Sequence, residues 1–183
     1  HEESRSLASY ATRTNQSEAS AFVELNRKYN GRVVLWHPGL NQSMEAIEEM
    51  IKSPTVAMGL ADSGAHVGQI MDASSPSWLL SYWVKRRGTL SLEKAIKSWT
   101  SDTAQLFGVK DRGILRKGAY ADLNIIDLDN LSLQLPEYKH DFPGGAGRYV
   151  QTAKGYDCTI VNGQIFMEHG EYAGSVSGLT LRS

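Results

Sequence analysis

The sequence is poor in cysteine and in long apolar segments, and both shortages exclude classes of protein. Cys158 is the single cysteine in 183 residues, which excludes an internal disulfide bond and a thiolate metal cluster. We expect Cys158 to serve as a small buried apolar residue. No run of about 18 apolar residues occurs, so the sequence provides no transmembrane helix.

The first residues also lack the features of a targeting sequence. The chain begins His1-Glu2-Glu3-Ser4-Arg5, whereas a signal peptide has a basic segment followed by an apolar one. Because the first residue is not Met, we expect the chain to have been processed or to be a piece of a longer protein. Together with the single cysteine, these features predict cytoplasmic localisation.

The charges show no excess of one sign. The formal net charge is -1 and the sequence pI is about 6.6, with the Lys and Arg residues scattered along the chain. A protein without a basic field does not gather phosphates or anionic lipids, so nucleic acids and membranes are excluded as expected partners. With 41% hydrophobic residues the chain is able to bury a core, which predicts a soluble globular protein.

The first part of the chain predicts helices that alternate with short strands. Helices are expected at residues 17–31, capped by Ser17, and from residue 43 up to Pro54. The apolar runs 33–36 and 55–61 have the length of buried strands. This alternation at short spacing predicts α/β layers with parallel strands.

Two further helices and a turn follow. Ser75 and Pro76 begin the first helix and Ser91 caps the second, while residues 103–107 predict a short helical turn before Gly108. Their aromatic side chains recur at helical spacing, for which core packing is the simplest explanation.

The character of the sequence changes near residue 109. Residues 123–128 predict a buried strand, and residues 159–161 and 164–167 predict a hairpin across Asn162-Gly163. Between them, residues 129–149 are expected to form a long irregular segment. We therefore divide the chain into an α/β portion, residues 1–109, and a small β portion, residues 110–183.

The strongest candidate for chemistry is Asp62, at the end of the apolar run 55–61. A carboxylate at the carboxyl end of a parallel strand stands where α/β barrels place reactive groups. Ser63 is small and leaves space beside it, and His66 provides a second titratable group four residues on. The alternative is structural, with Asp62 closing an Asx turn and His66 solvated.

A series of short motifs gives the sequence a family resemblance. They run in order as Asp62-Ser63-Gly64-Ala65-His66, Leu79-Leu80, Trp83-Val84, Leu92-Glu93-Lys94-Ala95, Thr100 to Ala104, Gly108, Asp111-Arg112-Gly113, Lys117-Gly118, Ala121 to Asp127, Asp141 to Gly145, Val161-Asn162-Gly163 and Gly174 to Arg182. The sequence from about residue 54 to 183 resembles the C-terminal portion of the N-acyl-D-amino-acid deacylases, or D-aminoacylases, of the amidohydrolase superfamily. Ala61 departs from the Ser that many of those enzymes have.

The resemblance implies a fold and a mechanism. The fold would be the C-terminal part of a metal-dependent (β/α)8 hydrolase barrel followed by a small β domain segment. Zinc would activate the attacking water, and Asp62 would be the general base, with metal ligation as its secondary role. Ser63 would contact the N-acyl amino acid substrate, and His66 would either contact it or orient Asp62. Arg148 would meet its carboxylate, unless it is an ordinary surface arginine.

The sequence lacks most of the zinc ligands that the resemblance implies. A catalytic zinc needs about three protein ligands, and no closely spaced pair occurs among His1, His37, His66, His140 and His169. His37 is the one further candidate ligand, with a local structural role as its alternative. We therefore expect the main ligands to lie outside this chain, the chain alone to be inactive, and its unpaired strand edges to favour self-association.

Two alternatives to the deacylase reading remain. A hydantoinase-like or dihydroorotase-like enzyme would keep the fold and hydrolyse a cyclic amide instead. A short protein without catalysis would act as a binding or assembly module. Barrel loops decide substrate choice, and they are mostly absent from this sequence, so the residues do not separate the three.

Overall fold

A computed structural model describes residues 3–37, 39–70 and 72–181 of the chain. The chain divides into two compact units, His1–Met44 and Glu45–Ser183. His1 and Arg182 from the sequence analysis lie outside the described residues. Within the described part, no helix combines the length and the apolar character needed to cross a membrane.

The first unit is a helical pair. A 3-10 turn at Glu3–Arg5 precedes α1 (Leu7–Arg13) and α2 (Glu18–Lys28). The Ser17 hydroxyl caps α2 by accepting from the Ser20 amide at 3.2 Å, which confirms the predicted cap. The predicted helix at residues 17–31 is confirmed with an earlier end at Lys28. Its small residue Ala21 is buried against α1, since larger side chains would hold the two helices apart.

The strand predicted at residues 33–36 is wrong. The structure has no regular element there, and Trp36 is 53% exposed. The prediction inferred burial from apolar composition alone. A strand also requires a neighbour for its backbone hydrogen bonds, and no described strand pairs with this run.

Helices form the first half of the second unit. They are α3 (Met44–Lys52), α4 (Ser75–Trp78), α5 (Leu92–Trp99) and α6 (Ser101–Leu106), and α4 continues directly into a π-helical segment, Leu79–Arg86. The predicted helices are thus confirmed, including the Ser91 cap on α5, which accepts from the Lys94 amide at 3.2 Å. The core of this half is formed by Leu79, Leu80, Trp83, Leu90 and Ala95, whereas α3 and α6 have no buried residue. Core packing is confirmed for Trp83, whereas Trp78 is exposed.

The second predicted strand, residues 55–61, is also wrong. The run is irregular, and Leu60 is 98% exposed. No described strand lies beside it to accept its amides. The parallel layering therefore does not form within the described residues, where every strand pair is antiparallel. The barrel remains a prediction, while the mixture of helix and sheet is confirmed.

An antiparallel sheet forms the second half of this unit. Its order is β1 (Leu123–Ile126), β6 (Tyr156–Val161), β7 (Gln164–Glu168) and β8 (Glu171–Tyr172). The β6–β7 turn has positive φ at Asn162 (50°) and Gly163 (79°), which is the signature of the type I′ turn. The predicted hairpin is confirmed, as are the strand beginning at residue 123 and the burial of Cys158. The predicted burial of that strand is wrong, since it ends at Ile126 and Ile125 is 52% exposed.

The segment 129–149 was expected to be irregular, and this prediction is wrong. It contains β2 (Ser132–Leu133), β3 (Glu137–Lys139), a 3-10 turn at Pro143–Gly145 and the start of β4 (Arg148–Val150). β3 pairs with β4, and β2 pairs with β5 (Ala153–Lys154). Strands of two or three residues are too short to show the alternating pattern from which strands are predicted.

Polar contacts join the helical and strand halves of the second unit. The Ser77 and Tyr156 hydroxyls lie 2.8 Å apart, the Ser74 hydroxyl donates to Gln151 at 2.7 Å, and Lys85 donates to the Asp129 carbonyl at 2.8 Å. The division at residue 109 remains a prediction about domains, and these contacts lie across it.

A buried arginine fastens the β6–β7 turn. The Arg112 side chain is 11% exposed and bonds to the Asp122 carboxylate and, at 2.7 Å, to the Asn162 side-chain oxygen. Asp122 accepts from the Asn162 amide at 2.8 Å, and Asn162 donates to the Ser177 carbonyl. Burial opposes the ionisation of Asp122, but these two donors outweigh it and lower its pKa. We call these four residues the arginine clasp.

Candidate functional site

Asp62 begins a loop of consecutive tight turns. The Ala65 amide donates to the Asp62 carbonyl at 3.1 Å, and the Gln69 and Ile70 amides donate to the His66 carbonyl at 2.7 and 3.0 Å. Asp62 and His66 have φ angles of 54° and 53°, in the left-handed region that few side chains adopt. Gly64, at φ 96°, takes a conformation suited to glycine. The small residues thus let the chain reverse sharply around Asp62.

The side chains of this loop face solvent. Asp62, Ser63 and His66 are all exposed. Among the residues that the structure describes, neither the Asp62 carboxylate nor the His66 ring has a hydrogen-bond partner. The Asx turn of the structural alternative does not form, because the turn closes on the backbone carbonyl of Asp62, whereas His66 is exposed as that alternative expected. His66 does not orient Asp62 in this structure. The carboxylate is therefore free to accept a proton or a hydrogen bond from a ligand.

One backbone hydrogen bond ties this loop to the strand that carries Arg148. The Tyr149 amide donates to the Val67 carbonyl at 3.2 Å. Val67 follows His66, and Tyr149 follows Arg148, so the two segments with the predicted site residues lie side by side. The link fits the register of the ribbon, since Tyr149 pairs with Tyr138 without using this amide. The Asp62 loop thus docks on the outer edge of β4.

Arg148 is paired with a carboxylate within its own ribbon. Its Nε and Nη2 donate to the two oxygens of Asp141 at 2.8 and 2.7 Å, and its guanidinium lies 5.1 Å from the centre of the Phe142 ring. Donation by Arg148 lowers the pKa of Asp141 below its ordinary value, and Asp141 raises the pKa of Arg148. Arg148 is therefore held in one orientation, although 39% of its side chain remains exposed.

The other face of the ribbon is aromatic. The ring of Tyr138 lies edge-on to the rings of His140 and Tyr149, at centroid distances of 5.2 and 5.0 Å. A side chain at Gly147 would overlap the Tyr138 ring, so glycine is needed there. His140 Nδ1 lies 3.0 Å from the Gly145 carbonyl, which favours the Nδ1–H tautomer. These contacts hold the turn that places Asp141 beside Arg148.

The described residues do not by themselves fit a catalytic metal. Nowhere in ranges 3–37, 39–70 and 72–181 do three or more His, Cys, Asp or Glu side chains come together as ligands. His37 belongs to an irregular, exposed segment of the first unit. The expectation that the main zinc ligands lie elsewhere stays a prediction.

Comparison with known families identifies the chain. Residues 3–167 match the model described as the amidohydrolase family. The chain belongs to the amidohydrolase family. The match extends well beyond the motifs noted from sequence, since it includes the first unit. The family is the level of assignment that this match supports.

Individual relatives include uncharacterized and enzymatic proteins. An uncharacterized protein of Mycobacterium tuberculosis is 26% identical over 182 residues, covering 93% of this amidohydrolase chain and 29% of the relative. A dihydroorotase of Lactobacillus acidophilus is 31% identical over 113 residues, covering 58% of this chain and 25% of the enzyme. The chain thus spans about 29% of the length of the mycobacterial relative.

Solved structures of D-aminoacylase are also similar. A D-aminoacylase variant in complex with copper chloride has 27% identity and a TM-score of 0.48, over 59% of this chain and 21% of that protein. The crystal structure of D-aminoacylase itself has 27% identity and a TM-score of 0.46, over 56% of this chain and 20% of that protein.

Sequence analysis missed Asp141 as the partner of Arg148. The signal was present, because an acidic residue and an arginine flank a Pro- and Gly-containing turn at a distance that a hairpin would bring together. The segment was treated as irregular, so no cross-strand pairing was considered. The roles of Asp62, Ser63, His66 and Arg148 toward substrate remain predictions.

Proposed function

We propose that this amidohydrolase chain supplies Asp62 as the general base in hydrolysis of the amide bond of an N-acyl-D-amino acid. The observation that carries the proposal is the exposed carboxylate of Asp62, without a partner among the described residues, on a loop bonded to the Arg148 strand through Val67 and Tyr149. The motif around Asp62 resembles the D-aminoacylase branch, which suggests the substrate.

The reaction assigns Asp62 two proton transfers. Its carboxylate takes a proton from the attacking water while the water oxygen bonds to the amide carbonyl carbon. The same carboxyl group then gives that proton to the leaving nitrogen as the C–N bond breaks. A base in this role must be reachable by substrate, and the exposure of Asp62 meets that requirement.

The neighbouring residues supply substrate contacts in this proposal. Ser63 and His66 lie on the same loop and are able to donate or accept hydrogen bonds at the amide. Arg148 takes the substrate carboxylate, which a guanidinium binds through paired N–H donors. An N-acyl amino acid has an amide, which would meet the Asp62 loop, and a carboxylate, which would meet Arg148 on the linked strand.

Metal dependence belongs to the proposal as well. A zinc ion would activate water in the complete enzyme, with Asp62 as a secondary ligand at most. Because the described residues assemble no ligand set, we expect well below one zinc per chain after purification. Elemental analysis of this chain measures the ratio, and tight stoichiometric zinc would contradict the expected ligand distribution.

Hydrolysis of a cyclic amide is the second candidate. The similarity to a dihydroorotase over 58% of this chain favours it. Asp62 would act as the base in that reaction too. The two candidates differ in whether the scissile amide is open or closed in a ring.

A substrate panel tests the proposal. The complete reading frame that contains this chain is expressed and assayed with N-acetyl-D-amino acids, their L enantiomers, a hydantoin and dihydroorotate. We expect amine release from the D enantiomers. Turnover of the cyclic amides alone would transfer the assignment to the second candidate, and absence of turnover on the whole panel would refute both, leaving the non-catalytic module.

The state of association is a separate proposal. Apolar side chains such as Leu60, Leu115 and Leu135 are more than four-fifths exposed. Exposed apolar surface favours association. We expect this chain to self-associate, and light scattering over a range of concentrations that shows a monomer throughout would contradict it.

A further inference from the structure

We infer that Asp141 is a positioning residue that turns the Nη1–Nη2 edge of Arg148 toward a carboxylate ligand. The identity of the ligand, an N-acyl amino acid, rests on the proposed function. The inference about Asp141 rests on the geometry of the ribbon from β3 to β4.

A guanidinium has two edges that each bind a carboxylate through parallel N–H bonds. Asp141 occupies the Nε–Nη2 edge of Arg148 with both oxygens, at 2.8 and 2.7 Å. Among the described residues, no acceptor contacts Nη1. The second edge, with Nη1 and the remaining N–H of Nη2, is therefore available to a ligand.

Two further contacts limit how the guanidinium turns. The Phe142 ring covers one face of it, with its centre 5.1 Å from Cζ. Arg148 pairs with Lys139 across the ribbon, so Asp141 is its diagonal neighbour on the same face. An arginine fixed at one edge and one face loses less rotational freedom when a ligand binds at the other edge.

The position of this edge connects it with the Asp62 loop. Tyr149, the residue after Arg148, donates its amide to Val67 at 3.2 Å. A ligand held by Arg148 would thus be bound on the strand to which that loop is bonded. If the carboxylate of this ligand is replaced by a neutral carboxamide, the guanidinium has no negative charge to pair with. The site should therefore bind the carboxylate in preference to the carboxamide.

Two other described arginines differ from Arg148 in their contacts. Arg112 is 11% exposed and is directed at Asp122 and Asn162. Arg116 donates through Nη2 to the Lys110 carbonyl at 3.1 Å and has no carboxylate partner among the described residues. Arg116 is therefore a matched control, because it is an exposed arginine with one hydrogen bond and no carboxylate bound to an edge of its guanidinium.

The test is binding of N-acetyl-D-leucine to the full chain, followed by the side-chain ¹⁵N signals of Arg148 in NMR spectra. We expect saturable shifts at Arg148 Nη, and none with the neutral N-acetyl-D-leucinamide. The R148K variant should weaken binding about tenfold or more, since a lysine has no fork. The R116K variant should bind as the unchanged chain does.

Variants at Asp141 separate positioning from simple loop closure. D141N should weaken binding about tenfold and speed rotation about the Arg148 Nε–Cζ bond. D141E should restore most of the affinity and most of the slow rotation. The inference is overturned if the unchanged chain gives no carboxylate-dependent shift, if R148K binds normally, or if D141N leaves affinity and rotation unchanged. Failure of turnover in the substrate panel with this binding pattern intact would refute the proposed function and leave Asp141 in its role.

Discussion

Two short segments of the second unit, each with several apolar residues, differ in the structure they form. Residues 55–61 and 156–161 have similar length, and both end at a polar residue that reverses the chain. The second run forms β6 because β1 and β7 lie on either side of it, and each pairs with it antiparallel with one register shift. The first run has no such neighbour within the described residues. Apolar composition thus makes a strand only where another strand accepts its amides.

The contrast predicts a difference in hydrogen exchange, which is the largest effect expected here. The amides of Ala57 and Leu60 should exchange near the rate of an unstructured peptide, while those of Thr159 and Ile160 should be slowed about a thousandfold or more. Amide exchange followed by NMR measures both in one sample. Comparable protection of the two runs would show that residues 55–61 pair in solution, which would contradict the difference described above.

The paired region depends on a close backbone approach at Gly155. A Cβ there would lie 2.7 Å from Leu131 Cα and 2.8 Å from the Asp127 carbonyl oxygen, and φ is 93°. Gly155→Ala should lower the free energy of unfolding by about 3 kcal/mol, because backbone on both sides must move. Denaturant unfolding measures it. Gly178→Ala, with open space around it, is the control, and equal loss in both variants would contradict the account.

The arginine clasp should come next in magnitude. Arg112→Met keeps much of the side-chain length but leaves Asp122 and Asn162 without their donor. We expect a loss of about 2 kcal/mol in the free energy of unfolding. Arg112→Lys should retain part of the stability that Arg112 contributes, since lysine keeps the positive charge but lacks the paired N–H donors of the guanidinium. If the Arg112→Met variant were as stable as the unchanged chain, the arginine clasp would contribute no net stability.

The smallest effect expected is a titration. Since Arg148 lowers the pKa of Asp141, this pair stabilises the folded chain above the ordinary carboxyl pKa and loses its contribution as the pH falls through the lowered value. Arg148→Met should raise the titration midpoint of Asp141, measured by ¹³C NMR. Asp127, whose pKa Asn130 lowers, should not move. An unchanged Asp141 midpoint would mean that the pair is not formed in solution.

Features that depend on neighbours in sequence were predictable. The Ser17 and Ser91 caps and the Asn162-Gly163 turn each involve residues within a few positions, so local chemistry determines them. The turn sets the register only for the two adjacent pairs, because the register shifts between Thr159 and Ile160. The π-helical segment at residues 79–86 gave no such local signal.

Features that depend on distant partners were not predictable. The strands expected at residues 33–36 and 55–61 were wrong because composition does not report whether a neighbour exists. The arginine clasp joins residues 50 positions apart, Arg112 and Asn162. The link from Val67 to Tyr149, which brings the candidate site together, likewise has no sequence signal. Residue types suggested Asp62 and Arg148 separately, and the structure shows that the segments carrying them are joined by one backbone hydrogen bond.

The most direct test of the account is the Asp62→Asn variant in the complete reading frame, assayed on the N-acetyl-D-amino acid that turns over fastest. Loss of the general base should lower kcat about a hundredfold or more. Asp157→Asn, an exposed strand aspartate, is the matched control and should leave kcat unchanged. If Asp62→Asn retained the full kcat while remaining folded, the central assignment would be contradicted.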